Sequence, residues 1–286
     1  MNNTWYDDTL IDRFVQKAPL KNNRKCQVLI VGGGLAGLSL LYNLKKNNVD
    51  ALLIEENRIG SGASGRNGGF CLSGWAQDYD VLLKYLSKEE VVALEQIAVS
   101  GVNWMRQKCL SDGYEHTNIK SGVLKCFLSK NIEKVQTDVI TQNGLFGKNE
   151  EFIEKENLSK YVCSEKYTCG VLRKDSFQFH PLNFMNALAK DCIIKGASIF
   201  ENCKFVGYNK NGGKIESNIS HKNKMLNIQS EKIVFATGGY GGREIKDLKD
   251  YWLPIKTFIG VTKPMGSELH TVLKKPLGFS DNRRAG

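Results

Sequence analysis

The stretch from Lys25 to Glu55, KCQVLIVGGGLAGLSLLYNLKKNNVDALLIE, decides the fold of this chain. Residues 25–31 are apolar and rich in β-branched side chains, which predicts a strand, and three glycines follow directly. Apolar residues then recur at helical spacing, and residues 51–54, ALLI, predict a second strand. We therefore expect a strand–turn–helix–strand unit of about 30 residues.

Glycines at three spaced positions mark the turn between the first strand and the helix. Gly32, Gly34 and Gly37 form the pattern GxGxxG. The first glycine permits a tight turn, the second lets the backbone approach a pyrophosphate, and the third lets the helix pack close to the strand. Free N–H groups at the helix start would face the phosphates. The turn therefore predicts a dinucleotide site.

Glu55 stands at the end of the second predicted strand, about 20 residues beyond the glycines. A carboxylate at this place accepts the ribose hydroxyls of an adenine nucleotide and repels a 2′-phosphate, which disfavours NADP. The alternative interpretation is a solvated glutamate at a strand end.

A second glycine-rich segment, GSGASGRNGGF at residues 60–70, favours FAD over NAD. Five glycines and three small residues in eleven positions leave little side-chain bulk, as expected where backbone runs against a ligand. The alternative is a flexible surface loop. Arg66, the single charged residue of the segment, would meet the pyrophosphate or reach solvent.

Further elements are predicted along the rest of the chain. Ser87 and Glu90 have the spacing of a capping box, which predicts a helix that begins after Ser87 and spans about 88–111. Two more helices are expected over about 130–142 and, after Pro181, over 181–195. Strands are expected in GVLKCFLS, KFVGY, KIESNI and, as a buried strand before another glycine turn, EKIVFA at 231–236.

Composition excludes some classes of protein. With 286 residues, 41% hydrophobic and 24% charged, the chain can bury a sizeable core, and it has no run of about 18 apolar residues that could cross a bilayer. We expect a cytoplasmic protein. The lysines and arginines that give the net charge of +10 are scattered among acidic residues, which argues against a nucleic-acid partner. The charge indicates at most that anionic ligands would be attracted.

The cysteines and histidines do not predict a metal site, and they identify no catalytic side chain. The eight cysteines form no CxxC pair and have no histidine at ligand spacing, so free thiols are expected, with a reactive Cys71 as the alternative. His180 precedes a predicted helix start, which favours a structural role. No GxSxG nucleophile elbow is present.

Several of these segments together resemble a known family. VLIVGGGLAGLSL, LLIEE and GSGASGRNGGF resemble the D-amino-acid-oxidase-like FAD-dependent oxidoreductases, in particular the branch similar to gamma-glutamylputrescine oxidase. DSFQFHPLNFMNAL at 175–188 and FATGGYGG at 235–242 agree with later family segments. The resemblance covers about residues 25–286.

The resemblance implies an α/β fold, with a glutathione-reductase-type, Rossmann-like FAD-binding domain and an interleaved mixed-sheet α+β substrate domain. Residues 1–24 would be an N-terminal extension. The FAD-binding parts would cover about 25–110 and 175–243, and the substrate-domain parts about 111–174 and 244–286.

The resemblance also implies an activity and a cofactor site. Members oxidise amines or amino acids by hydride transfer to flavin N5, and O2 or another electron acceptor reoxidises the flavin. The expected partners are a small amine or amino acid and that acceptor, with no nucleic acid and no membrane span. The residues expected to bind FAD are Gly32, Gly33, Gly34, Ala36, Gly37, Glu55, Glu56, Ser64, Arg66, Asn67, Gly68, Gly69, Val206, Thr237 and Gly238.

Two departures from the family leave alternatives open. Gly239 stands where an asparagine is common, which puts a role for that side chain in doubt. Family members are longer, and the resemblance stops in the middle of the substrate domain, so we expect a C-terminally truncated chain. The alternatives to an oxidase are a dehydrogenase with another acceptor, and a non-catalytic FAD-binding subunit that needs a partner chain.

Overall fold

A computed structural model describes residues 4–16, 18–241, 245, 253 and 255–282. The helices are α1 (Trp5–Asp8), α2 (Leu35–Lys46), α3 (Tyr79–Leu82), α4 (Lys88–Cys109), α5 (Ile132–Phe146), α6 (Lys155–Leu158) and α7 (Pro181–Ile194). The strands are β1 (Arg24–Val31), β2 (Ala51–Ile54), β3 (Phe70–Cys71), β4 (Lys120–Phe127), β5 (Glu150–Glu154), β6 (Cys169–Gln178), β7 (Ser198–Phe200), β8 (Lys204–Asn211), β9 (Lys214–His221), β10 (Lys224–Phe235) and β11 (Gly278–Asp281).

The described residues form two compact units. The first unit lies within 1–67 and 181–260, and the second within 68–180 and 261–286. These units divide the chain differently from the expected domains: residues 245, 253 and 255–260 lie in the first unit, and residues 68–110 and 175–180 lie in the second. There β3 pairs with the end of β6, and α4 packs on α5. Which parts of the chain bind FAD stays a prediction.

The first unit contains a six-stranded mixed sheet in the order β7-β2-β1-β10-β9-β8. The first four strands of that order are parallel, and β9 and β8 continue it antiparallel. The apolar runs of β1 and β2 are buried on both faces, as parallel strands require. Helices α2 and α7 pack on each other and on the strands beside them. The predicted strand–turn–helix–strand unit is confirmed.

Strand β10 differs from its prediction. It starts seven residues earlier than EKIVFA, because residues 224–230 pair antiparallel with β9 while residues 228–235 pair parallel with β1. Its last residues, Ile233 to Phe235, are only half-buried. The prediction of a buried strand was therefore wrong in this part.

The second unit contains a smaller mixed sheet in the order β11-β4-β6-β3, with β5 also paired to β6. Strand β6 is antiparallel to β3, β4 and β5, and β11 is parallel to β4. Val135 and Val139 of α5 pack against Cys169 and Val171 of β6 in one core cluster. The mixed sheet expected from the family resemblance is therefore present.

The predicted helices are present with shifted ends. Ser87 and Glu90 form both hydrogen bonds of the capping box, and α4 ends at Cys109, two residues earlier than expected. Helix α5 starts after Asn131, whose side chain accepts from Lys134, and continues to Phe146, where Gly147 ends it with a φ of +65°.

Within the part of the chain that the structure describes, no helix is long and apolar enough to cross a bilayer. Among the same residues, no group of His, Cys, Asp or Glu side chains could hold a metal ion.

Candidate cofactor site

The glycine turn after β1 is built so that no side chain fits there. Gly32 has a φ of +115°, and a Cβ on it would lie 2.6 Å from the carbonyl oxygen of Ala236. A Cβ on Gly37 would lie 2.0 Å from the carbonyl oxygen of Gly32. Real Cβ atoms do not come this close to backbone, so the contact of α2 with the turn requires glycine at both positions.

Glu55 is hydrogen-bonded to the same turn. Its Oε2 accepts from the backbone N–H of Gly33 at 2.7 Å, and its Oε1 accepts from that of Asn57 at 2.9 Å. Burial raises the pKa of Glu55, and the hydrogen bonds from Asn57 and Gly33 oppose that rise. The carboxylate is thus held in place before any ligand binds.

The glycine-rich loop, defined here as residues 57–67, approaches the start of α2. Ser64 Oγ accepts from the backbone N–H of Leu35, the first residue of α2, at 3.0 Å. Its own hydroxyl hydrogen stays available for another acceptor, since the bond to Leu35 uses an oxygen lone pair. A Cβ on Gly65 would lie 2.1 Å from the carbonyl oxygen of Gly60, so this loop also depends on glycine.

A second glycine turn follows β10. The backbone N–H of Ala236 donates to the carbonyl of Val31 at 2.8 Å, which joins the ends of the two parallel strands. Thr237 Oγ1 is buried and has no hydrogen-bond partner among the described residues. A Cβ on Gly241 would lie 2.0 Å from this oxygen, so the turn itself encloses it.

A cavity of about 420 Å³ lies at the two glycine turns and the glycine-rich loop, within the first unit. The expected residues that line it are Gly32, Gly33, Gly34, Glu55, Glu56, Ser64, Arg66, Thr237 and Gly238. The position of the cavity, at the carboxyl ends of parallel strands, is where ligands bind in open α/β sheets.

Six expected residues do not line the cavity, and four of them lie in the first unit. Ala36 is exposed on the first turn of α2, and Gly37 is buried beneath the turn. Asn67 donates from Nδ2 to the carbonyls of Ala63 and Ser64. Val206 is 46% exposed, and its neighbours Phe205 and Cys203 line the cavity instead. A role for these four in cofactor binding stays a prediction.

Gly68 and Gly69 belong to the second unit. Gly69 has a φ of +68°, and its carbonyl accepts from the backbone N–H of Phe179 at 2.8 Å. Gly68 accepts from Gln178 Nε2 at 3.2 Å. Both glycines are therefore fixed to the end of β6, and their expected role in cofactor binding stays a prediction.

Sequence reasoning missed several residues of the cavity wall. Besides Phe205 and Cys203, the residues concerned include Asn57, Ser61, Tyr240 and Ile245. The ring of Tyr240 lies over Gly62, where a Cβ would be 3.2 Å from it. Ser61 and Tyr240 lie in the two quoted glycine-rich segments, where the shortage of bulk at Gly62 was a signal that something packs there, whereas no motif marks the other residues.

The cysteine and histidine side chains considered outside this cavity have surroundings that favour structural roles. Burial and, to a lesser extent, Cys109 raise the pKa of the Cys71 thiol to about 12 against the opposing charge of Arg106, so the unreactive thiol form dominates at neutral pH. His221 is buried, and its Nδ1 lies 2.8 Å from the carbonyl oxygen of Asn202. Burial lowers the pKa of His180, whose backbone N–H donates to Thr117.

Comparison with known proteins identifies the family. Residues 27–286 match the family FAD dependent oxidoreductase, DAO. The probable oxidoreductase OrdL of Rhizobium meliloti (strain 1021) is 27% identical over 267 residues, which cover 91% of this chain and 60% of that protein. The gamma-glutamylputrescine oxidoreductase of Escherichia coli (strain K12) is 26% identical over 182 residues, 64% of this chain and 43% of that enzyme.

The fold also resembles solved structures. The L-amino acid deaminase from Proteus myxofaciens, in complex with anthranilate, superposes with a TM-score of 0.64 at 19% identity, over 80% of this chain and 50% of that one. This likeness concerns the fold. The chain spans about 60% of the length of the Rhizobium relative. Because the family match covers nearly the whole chain and agrees with the glycine turns and Glu55, this chain belongs to the DAO family of FAD-dependent oxidoreductases.

Proposed function

We propose that the cavity of the first unit holds FAD, and that the protein oxidises the C–N bond of a small amine or amino acid. The observation that carries the proposal is Glu55, held at the end of β2 by the N–H of Gly33, on the rim of a cavity whose turn at Gly32 to Gly34 carries no side chain. Family membership supports FAD as the cofactor.

The cavity residues fit this cofactor. The backbone of Gly32 to Gly34, at the start of α2, leaves room for a pyrophosphate, and the positive end of the helix dipole favours its charge. Glu55 uses one lone pair of each oxygen on backbone N–H groups and has others left for ribose hydroxyls.

Ser64 and Arg66 complete the proposed phosphate site. Ser64 accepts from Leu35 and can therefore donate its hydroxyl hydrogen to a phosphate oxygen. Arg66 lines the cavity and adds positive charge. FAD, when bound, supplies a two-electron acceptor for hydride from the carbon next to the substrate nitrogen. The role of this chain's residues is to bind and orient that group.

Two further observations bear on substrate and location. The net charge of +10 favours a substrate that carries a carboxylate, as a gamma-glutamyl amine does. All eight cysteines are free, which is typical of cytoplasmic proteins and supports a cytoplasmic enzyme.

The test is anaerobic reduction of the flavin. The purified chain would be loaded with FAD, freed of excess by gel filtration and mixed with gamma-glutamylputrescine, putrescine, glycine or L-amino acids. We expect retained flavin whose visible absorption is lost on adding an amine and returns with O2. The Escherichia coli gamma-glutamylputrescine oxidoreductase is the positive control for substrate quality.

Other outcomes distinguish the alternatives. Reduced flavin that returns quickly with an artificial acceptor but slowly with O2 favours a dehydrogenase. Bound flavin that no amine reduces favours an FAD-binding subunit that needs a partner chain. Folded protein that retains no FAD contradicts the proposal.

A further inference from the structure

We propose that residues 4–16, called here the N-terminal strap, position the glycine-rich loop for FAD, with Tyr6 as the positioning residue. This inference rests on the proposed function, because it assigns the strap a part in holding that cofactor.

Tyr6 connects the strap to the loop by a direct hydrogen bond. Its hydroxyl donates to the backbone carbonyl of Asn67 at 2.5 Å. The side chain of Asn67 in turn donates to the carbonyl of Ser64 at 2.8 Å and to that of Ala63 at 3.1 Å. Ser64 Oγ accepts from Leu35 at the start of α2. A chain of hydrogen bonds thus runs from Tyr6 to the rim of the cavity.

Asp7 places a charge beside the same loop. Burial disfavours the ionised carboxylate of Asp7, but hydrogen bonds from Thr4 and the positive charges of Arg13 and Arg66 outweigh it and hold the pKa below its usual value. Asp7 and Arg66 line one surface cleft together, and Arg66 also lines the cavity, so the strap acts on a cavity wall through charge as well as through Tyr6.

The strap itself is anchored on α7. Asn183 and Asn186 are 6% and 2% exposed, and their side-chain oxygens accept from the backbone N–H groups of Ile11 at 3.2 Å and Phe14 at 2.7 Å. Buried amides without partners cost about 1 to 3 kcal/mol each, so these contacts hold the strap to the helix. Phe14 is itself 4% exposed.

The far end of the strap is connected to the other end of the loop through Glu201. Gln16 Oε1 accepts from the backbone N–H of Glu201 at 2.6 Å. The carboxylate of Glu201 accepts from the backbone N–H of Ile59 at 2.7 Å. The loop is therefore held near both ends, at Ile59 and at Asn67, by groups that the strap contacts.

The composition of the loop explains why such support matters. Gly60, Gly62 and Gly65 give the free loop many conformations, and ordering it on binding would cost conformational entropy. A loop that is already ordered binds its ligand more tightly because that cost has been met during folding. The strap supplies the ordering contacts from outside, and leaves the inner face of the loop to the cofactor.

The test compares the wild-type chain with Tyr6→Phe, Asp7→Asn and the control Tyr85→Phe. Tyr85 is 82% exposed and lies in the second unit. The first readout is the dissociation constant of FAD, from quenching of flavin fluorescence. The second is the initial rate of trypsin cleavage after Arg66 in the chain without FAD. Thermal unfolding of each variant controls for a general loss of stability.

We expect FAD binding about three- to tenfold weaker in Tyr6→Phe, corresponding to one hydrogen bond, and faster cleavage after Arg66, with a melting temperature lowered by no more than about 4 °C. Asp7→Asn should change both readouts in the same direction, and Tyr85→Phe neither. Asp7→Asn gives the answer if Tyr6→Phe fails to fold.

The two readouts separate this inference from the proposed function. Equal FAD affinity in all variants overturns the positioning role, whatever the cleavage rates, and leaves FAD binding intact. If the wild type binds no FAD, both proposals fail as stated, and faster cleavage of Tyr6→Phe then shows a strap that only stabilises the loop.

Discussion

The carboxylate of Glu55 accepts a hydrogen bond of 2.7 Å from the backbone N–H of Gly33 and so joins the end of β2 to the turn after β1. This contact holds an acidic group on the cavity rim, since Gly33 and Glu55 both line it. The same carboxylate thus stabilises the turn and keeps lone pairs for a ligand.

Glu55→Gln should weaken FAD binding by about tenfold to a hundredfold, because hydrogen bonds to a charged group contribute about 1.5 to 3 kcal/mol. The amide nitrogen of the new side chain would also face an N–H donor, either of Gly33 or of Asn57. Fluorescence titration with FAD measures the effect. Glu231→Gln, on an exposed residue of β10, is the control and should bind FAD as the wild type does.

FAD affinity should fall on acidification, beginning above the ordinary glutamate pKa of 4.5, because burial raises the pKa of Glu55 and the protonated side chain accepts ribose hydroxyls poorly. In the chain without FAD, the free energy of unfolding depends on pH in the opposite direction. The folded state binds the proton more tightly, so the free energy of unfolding falls as pH rises from 4.5 toward the raised pKa. Titrations at several pH values should show less acid dependence in Glu55→Gln, and identical profiles would contradict the prediction.

Gly37→Ala should destabilise the first unit by about 1 to 3 kcal/mol, the usual cost of overpacking, and should weaken FAD binding. The added methyl would lie 2.0 Å from the backbone oxygen of Gly32, so the start of α2 must move. Gly101→Ala in α4 is the matched control. Nothing lies within 4 Å of a Cβ there, so a gain of about 0.5 to 1 kcal/mol from helix propensity is expected. Thermal unfolding measures both changes.

Lys148→Met should destabilise the second unit by about 3 to 5 kcal/mol, because it leaves a buried carboxylate without its cation. Lys148 Nζ lies 3.3 Å from Glu95 Oε2, and both side chains are 7% exposed. The pair is an ion contact rather than an aligned hydrogen bond, since Oε2 has no hydrogen-bond partner among the described residues.

The control for this ion pair is Lys174→Met, which breaks a half-exposed pair with Glu151. It should change the free energy of unfolding by less than about 1 kcal/mol. Denaturant unfolding compares the two variants, and equal losses would show that burial of the pair does not decide its contribution.

Alkylation should label Cys163 well before Cys71 at neutral pH. Cys163 is exposed, whereas Cys71 is half-buried and burial raises its pKa to about 12, so little thiolate is present to react. Timed treatment with iodoacetamide followed by peptide mass spectrometry measures the order. Cys71 directly follows the glycine-rich segment, and faster labelling of this residue would support the alternative of a reactive thiol there.

Local patterns in the sequence were enough for the core of the first unit and for half of its site. The unit from Lys25 to Glu55 follows from apolar periodicity and glycine spacing, because its strands and helix are neighbours in the chain and its turn needs glycine for steric reasons. The helix start at Ser87 was predictable for the same reason, since a capping box lies within four residues.

The tertiary structure decided which distant residues share the cavity and which residues hold it in place. Phe205 reaches the cavity because β8 pairs with β9, and β9 joins it through β10 to β1. Cys203 reaches it because its backbone N–H donates to the carbonyl of Glu55, and such long-range contacts leave no signal at fixed sequence spacing. The contact of Tyr6 with Asn67 spans 61 residues and depends on where α7 anchors the strap. Short-range sterics and hydrogen bonding can be read from the sequence, whereas contacts between distant segments exist only once burial of the whole core has fixed the path of the chain.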